Sequence, residues 1–325
     1  MSFNFELANE QITSKIEALN IGKAPNNLYD PIYYTLSMGG KRTRPILALL
    51  GCYLYNENYL KAMGVAMGVE IFHNFTLVHD DIMDNAPLRR GKATVHEKWN
   101  NNIAILSGDV MLVKAYEQFL DTDPALLGSI LQYFNKCASE VCEGQQYDMD
   151  FENEDNVSAE EYLHMIRLKT AVLLGFSLRG GALVGGASEK DAEVLAEIAE
   201  LVGTGFQLKD DILDLYGEQA KVGKQIGGDI IANKKTYLLI KALEQANEEQ
   251  KNELEHWLSL TSFDNTEKVE AVKALFDTIG VKAIAEEKMH SYFQQAFQLL
   301  KGLEIPEERK ASLHGFIEMI YSRDK

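Results

Sequence analysis

Apolar residues recur at i, i+3 and i+4 through most of this chain, the spacing that lays one stripe along a helix. No stretch sustains the alternating pattern of a strand, and only six prolines interrupt the run. The periodicity predicts helices over 4–19, 28–38, 45–55, 59–83, 103–120, 124–149, 159–183, 189–216, 237–245, 249–260, 266–278, 281–303 and 307–321. Met63, Gly64, Met67 and Gly68 suit a helix packed tightly within a core. The expected fold class is all-α, and with no linker-like shift in composition residues 1–325 read as a single domain.

Two connections break the pattern. Residues 85–93 carry Pro87, Gly91 and three basic residues, and residues 218–235 carry Gly223, Gly227, Gly228 and four lysines. Each follows a five-residue acidic pattern set in an apolar helical run: Asp80, Asp81 and Asp84 before the first, Asp210, Asp211 and Asp214 before the second. On a helix the first and fifth positions stack one turn apart, with the second about 100° round. Like charges so placed repel by roughly 0.2–0.5 kcal/mol per pair. One such cluster in so acidic a chain is as readily a solvated helix end as a binding site. Two copies, each beside a glycine-rich basic connection, favour the site. Six carboxylates on two helices suit several Mg²⁺ ions bridged to a diphosphate, because Mg²⁺ takes few carboxylates alongside water and phosphate oxygens.

Composition narrows the partners. The 325 residues are 46% hydrophobic, enough for a large core, and 32 Lys and Arg against 49 Asp and Glu give a formal charge of −17. That field disfavours nucleic acid and anionic membrane surfaces. Cys52, Cys137 and Cys142 lack metal-type spacing and read as buried reduced thiols, consistent with a cytoplasmic protein. Residues 1–11 mix Glu6, Asn9 and Glu10 into their apolar positions, so neither a signal peptide nor a membrane span is expected. Against the acidic background, Lys41, Arg42 and Arg44 cluster after Gly39-Gly40, and Arg89, Arg90 and Lys92 follow the first acidic motif. Either set alone would be an ordinary surface patch; beside the carboxylates each reads as an anion clamp. His73, two turns before Asp80, is a candidate phosphate donor, and His79 is the weaker candidate, a lone histidine on an apolar helix being more often a packed residue.

Together these residues resemble the trans-isoprenyl diphosphate synthases, or polyprenyl synthetases. The first half matches in order through Gly39–Pro45, His73, Leu77–Asp84 and Arg89-Arg90-Gly91; the second through Lys169-Thr170, Gly205–Asp214, Gly223-Lys224 and Lys234–Thr236. The resemblance implies a helical bundle of the isoprenoid synthase type, with a central cavity surrounded by about ten or more helices. It implies condensation of isopentenyl diphosphate with an allylic diphosphate (dimethylallyl, geranyl or farnesyl) at about three Mg²⁺ ions, and a homodimer. By it, Asp80, Asp84 and Asp210 are the foremost metal ligands among the six aspartates. Arg89, Lys169, Thr170, Gln207, Lys224 and Lys234 serve the allylic diphosphate, Thr170 and Gln207 facing the developing cation. Lys41, Arg44, His73 and Arg90 bind isopentenyl diphosphate. Asp229 and the segment Gly144-Gln145-Gln146 through Asp148 take supporting roles.

The first motif lacks the two-residue insertion of the common bacterial farnesyl type, and Asn233 stands where a glycine is often found before the lysine. Phe75 and Thr76, five and four positions before Asp80, would set product length, Phe75 as the floor of the tail pocket, unless it merely packs in the core. A C20 or C15 product is expected. A class I terpene cyclase would use Glu218, eight residues after Asp210, but has no second diphosphate to occupy Lys41, Arg44 and Arg90. A non-catalytic helical partner subunit has no use for six repelling carboxylates.

Overall fold

A computed structural model describes residues 2–154, 156–217 and 226–322. The chain divides into two compact units, one formed by residues 1–137, 173–196 and 303–313, the other by 138–172, 197–302 and 314–325.

In the first unit lie α1 (Phe5–Glu17), α2 (Asn26–Leu36), α3 (Thr43–Tyr55), a 3₁₀ turn (Tyr59–Ala62), α4 (Met63–Met83), α5 (Val95–Lys98) and α6 (Asn101–Phe119). The first part of α7 (Pro124–Asn153) and most of α9 (Val172–Gly185) also belong to it. Helix α4 is the centre of its core, buried on most of its circumference from Gly64 to Val78. Its glycines explain the closeness of α6: a Cβ on Gly64 would come within 2.7 Å of the Gln118 carbonyl, and one on Gly68 within 2.3 Å of the Phe119 ring. Helices α3 and α9 meet through Gly51, Gly181 and Gly185 in the same way. Around Phe134 the rings of Phe72, Tyr116, Phe119 and Phe176 pack with centroids 4.7–5.4 Å away.

The second unit takes the rest of α7, then α8 (Ala159–Ile166), a π turn (Arg167–Ala171) and most of α10 (Glu189–Tyr216). It continues through α11 (Gly228–Ile231), α12 (Tyr237–Gln245), α13 (Glu248–Ser259), α14 (Asn265–Ile279) and α15 (Val281–Gly302) to the end of α16 (Glu307–Tyr321). Starts and stops follow local chemistry. Ser158 with Glu161 and Asn247 with Gln250 close capping boxes, and Gly280, at φ 84°, ends α14.

Among the described residues the all-α expectation holds, with five differences: α5, α11, the 3₁₀ turn at the start of the expected 59–83 helix, the π turn inside the expected 159–183 helix, and a two-stranded hairpin, β1 (Leu88–Arg89) with β2 (Lys92–Ala93). From Ala159 to Gly185 the chain runs 27 residues, long and apolar enough by composition to cross a membrane. Yet 78% of its most apolar window is buried within the protein, as in a core helix. Cys52 and Cys137 are buried as expected; Cys142 is exposed, a correction that follows from its place on α7, where Ser139, Glu143 and Gln146 on the same face are exposed too.

Candidate active site

In the first unit, α4 delivers the first acidic motif at its C-terminal end. Asp81 is buried, and Arg89 grips it through Nε, 2.8 and 3.0 Å from the two carboxylate oxygens, with a second guanidinium nitrogen at 2.6 Å. Asp80 is half-buried and Asp84 exposed. The connection beyond is a tight hairpin in which Arg90 (φ 52°) and Gly91 (φ 76°) both take left-handed backbone, the geometry a two-residue turn between twisted strands demands. Arg90 then donates to the Gly39 carbonyl and lies flat over Gly40, where a Cβ would come within 2.9 Å of the guanidinium. The two basic segments predicted as clamps therefore meet.

Arg44 donates to His73 Nε2 at 3.1 Å. Because a guanidinium only donates, Nε2 accepts, and a neutral His73 carries its proton on Nδ1. Burial first, then the charges of Arg44, Arg90, Arg89 and Arg42, hold His73 well below the ordinary histidine range, so the ring is neutral. Burial likewise draws Arg44 down to about 10, still cationic at neutral pH, and among the described residues its buried Nε meets no acceptor. Lys41 is exposed beside this cluster.

Arg42 does not belong to the clamp. At φ 50° it turns its guanidinium into the core onto Glu70 and the Leu36 carbonyl (3.0 Å), while Glu70 also accepts from Asn74 at 2.9 Å. A buried carboxylate one turn before His73 attracts the nearest guanidinium inward. Phe75 is buried, its ring 4.7 Å from His79 and 5.5 Å from Phe72, and Thr76 donates to the His73 carbonyl. His79 packs over Gly108, where a Cβ would come within 2.3 Å of Nε2.

The second unit builds its motif on the same plan. Asp211 is buried and accepts from the Tyr162 hydroxyl at 2.5 Å and from Gln207 Nε2 at 3.3 Å. Burial, aided by the charge of Asp229, pushes its pKa up to about 7 against the pull of those two hydrogen bonds. Asp210 and Asp214 are half-buried. Asp214 accepts from the Asp229 backbone N–H at 3.0 Å, tying the following turn to the motif. Lys169 sits in the π turn, its ammonium 2.5 Å from Asp148, and Gly144 lets α7 approach so closely that a Cβ would lie 2.3 Å from the Lys169 nitrogen. A π turn admits an extra residue and opens the carbonyl ladder around Lys169 and Thr170. Lys234 is exposed, and Lys235 is bound to the Phe151 and Glu154 carbonyls. Lys224, Gly223 and Glu218 lie outside the described residues.

Among the described residues no three His, Cys, Asp or Glu side chains converge as a preformed metal cage. The donor set nonetheless fits a hard cation that brings phosphate ligands with it: each motif locks its middle carboxylate and keeps its first and last one turn apart on the more accessible side. Tyr162 was not legible as a site residue, since a tyrosine on an amphipathic helix carries no motif. Asp148 is legible only as the end of the segment Gly144-Gln145-Gln146 through Asp148.

The polyprenyl synthetase family profile matches residues 25–278. A short chain isoprenyl diphosphate synthase from Methanocaldococcus jannaschii is 41% identical over 78% of this chain and 78% of its own. A geranylgeranyl pyrophosphate synthase from Geoglobus acetivorans is 38% identical over 91% of this chain and 90% of its own. Among solved structures, a geranylgeranyl pyrophosphate synthase aligns with a TM-score of 0.94 at 41% identity, covering 99% of this chain and 100% of that one. Neither the cyclase nor the scaffold reading is favoured by these relatives. With two acidic motifs built alike and arginines gathered beside the first, the chain belongs to the polyprenyl synthetase family, and it is a prenyltransferase.

Proposed function

We propose that this prenyltransferase joins isopentenyl diphosphate to an allylic diphosphate to give a short all-trans product, C20 before C15. The observation that carries the reading is the Arg44–His73–Arg90 cluster: a half-buried arginine whose buried Nε meets no acceptor among the described residues, a histidine kept neutral, and a glycine-backed arginine, in a chain of net charge −17. A second anion, beyond the one the acidic motifs serve through a cation, is what such a cluster suits. The C20 product is supported by the relatives named geranylgeranyl synthases.

In this reading Lys41, Arg44, His73 and Arg90 hold isopentenyl diphosphate. Arg89, Lys169, Lys224 and Lys234 hold the allylic diphosphate, and Gln207 and the Thr170 carbonyl face the carbon that becomes cationic. Asp80, Asp84 and Asp210 hold Mg²⁺, about three ions by family resemblance; Asp81, Asp211 and Asp214 complete the acidic walls, and Asp229 supports them. When bound, Mg²⁺ neutralises the diphosphate as the allylic C–O bond breaks. The electron pair leaves with diphosphate, the isopentenyl double bond forms the new bond to C1, and the departing diphosphate takes the proton. Excluding water keeps the cation from being quenched.

Phe75, with Thr76 beside it, closes the tail pocket alongside α4, and its buried ring, held in tilted contact with Phe72 and edge-on to His79, supports that role. Incubation of the purified protein with isopentenyl diphosphate, farnesyl diphosphate and Mg²⁺ should yield geranylgeranyl diphosphate by chromatography; absence of any condensation product contradicts the function. Phe75→Ala should shift the product to longer chains, and an unchanged product removes Phe75 from the floor.

The single family match across both compact units supports a single functional domain. The three cysteines, without metal-type spacing, support a cytoplasmic location. A homodimer is supported by α6, which exposes Leu106 and Val113 at 57% each and is followed by Leu120 at 63%, all seven residues apart. Leu106→Glu with Val113→Glu should halve the mass measured by sedimentation; an unchanged mass places the seam elsewhere.

A further inference from the structure

The turn between the second acidic motif and Lys234 is pinned at both ends. At one end Asp229 N–H donates to Asp214 at 3.0 Å, and the Asp229 carbonyl accepts from Lys234 N–H at 2.8 Å. At the other stands Asn233, in left-handed backbone at φ 54°, a conformation that favours glycine. Its side chain does what glycine could not: Nδ2 donates to the Leu258 carbonyl at 2.9 Å and Oδ1 accepts from Lys268 at 2.5 Å. The amide orientation is fixed, because an ammonium can only donate and a carbonyl only accept.

Lys268, on α14, is 0% exposed, and among the described residues no carboxylate lies within ion-pairing distance. Its ammonium has the Asn233 oxygen and the Phe263 ring, 4.1 Å from the centroid, for company. A buried ammonium with so little compensation is costly to hold, and the Asn233 oxygen is its hydrogen-bond acceptor. Glycine at 233 would keep the backbone but strand the Lys268 ammonium, and a leucine or methionine at 268 would leave the Asn233 oxygen without its donor. The two positions are therefore coupled, and Lys234 follows Asn233 directly, its N–H held by the Asp229 carbonyl of the turn tied to Asp214.

We propose that Asn233 and Lys268 are a positioning pair that fixes the Asp229–Lys234 turn and so presents Lys234 to the allylic diphosphate. The proposal rests on the reading of Lys234 as a phosphate ligand. Neither residue of the pair touches substrate; both act through the turn.

The test measures kcat and both Michaelis constants for Asn233→Gly, Lys268→Met, the double variant and Lys234→Gln. Asn233→Gly and Lys268→Met should each raise the KM for the allylic diphosphate about tenfold while leaving that for isopentenyl diphosphate unchanged. The double variant should be no worse than the worse single one, since both break the same tether. Loss of stability alone would lower the active fraction and leave both KM values unmoved. If Lys234→Gln raises the allylic KM but Asn233→Gly does not, the positioning role is overturned and the reading of Lys234 stands. If Lys234→Gln leaves that KM unchanged, the reading of Lys234 itself fails. Should Lys268→Met not fold, Asn233→Gly decides alone, because glycine suits the backbone at that position.

Discussion

Asp80→Asn and Asp210→Asn should each lower kcat by about 10²–10³-fold, the scale seen when one group that stabilises developing charge is removed. The amide keeps the size and helix geometry of the aspartate and removes only its charge, so folding should be unaffected. In a steady-state assay the loss should fall mainly on kcat, because the charge on the departing diphosphate grows as the C–O bond breaks. Asp81→Asn should behave differently. Asp81 is buried and held by Arg89, so its replacement frees a guanidinium as well as removing a charge, and the KM for the allylic substrate should change with kcat. Equal, small effects at Asp80 and Asp210 would show that these carboxylates are not where the metal is held.

Glu70→Leu should destabilise the protein by about 3–5 kcal/mol, the cost of leaving one member of a buried ion pair without its partner. Arg42 and Glu70 side chains are 6% and 3% exposed, and no water can take over from the lost carboxylate without opening the core of the first unit. Asn74 would lose an acceptor as well. The midpoint of urea unfolding should fall accordingly. Adding Arg42→Met should recover most of the loss, since a buried pair replaced by apolar side chains of similar volume is close to neutral. No recovery in the double variant would mean that the pair's contribution lies elsewhere than in mutual neutralisation. Arg42 enters α3 in left-handed backbone just between Lys41 and Arg44, so the same variants should also disturb isopentenyl diphosphate binding.

The helices were legible because each buries one stripe, and Glu189–Tyr216, Tyr237–Gln245 and Glu307–Tyr321 fall on the expected residues. The π turn at Arg167–Ala171 was not, since one extra residue in a turn leaves the apolar stripe of a 27-residue helix almost unchanged. The hairpin at 88–93 escaped for the opposite reason: two-residue strands are too short to show alternation. The acidic motifs and the basic clusters could be read directly, because charge inside an apolar run is visible without coordinates. Which member of a cluster turns inward could not. Arg42 and Arg44 are two residues apart and equally basic, and only the position of Glu70 on α4 sends one into the core and leaves the other for the site. The same holds for Lys268, whose burial beneath Asn233 has no counterpart in a surface-like helix sequence.

In the proposed reaction the acidic motifs take up Mg²⁺ only together with a diphosphate. Binding of Mn²⁺, followed by electron paramagnetic resonance with and without an allylic thiolodiphosphate that does not ionise, measures it directly. Weak binding to the protein alone, several tightly bound ions once the analogue is present, and loss of that gain in Asp80→Asn and Asp210→Asn are predicted. Equal binding with and without the analogue, or a gain that survives both substitutions, would contradict it.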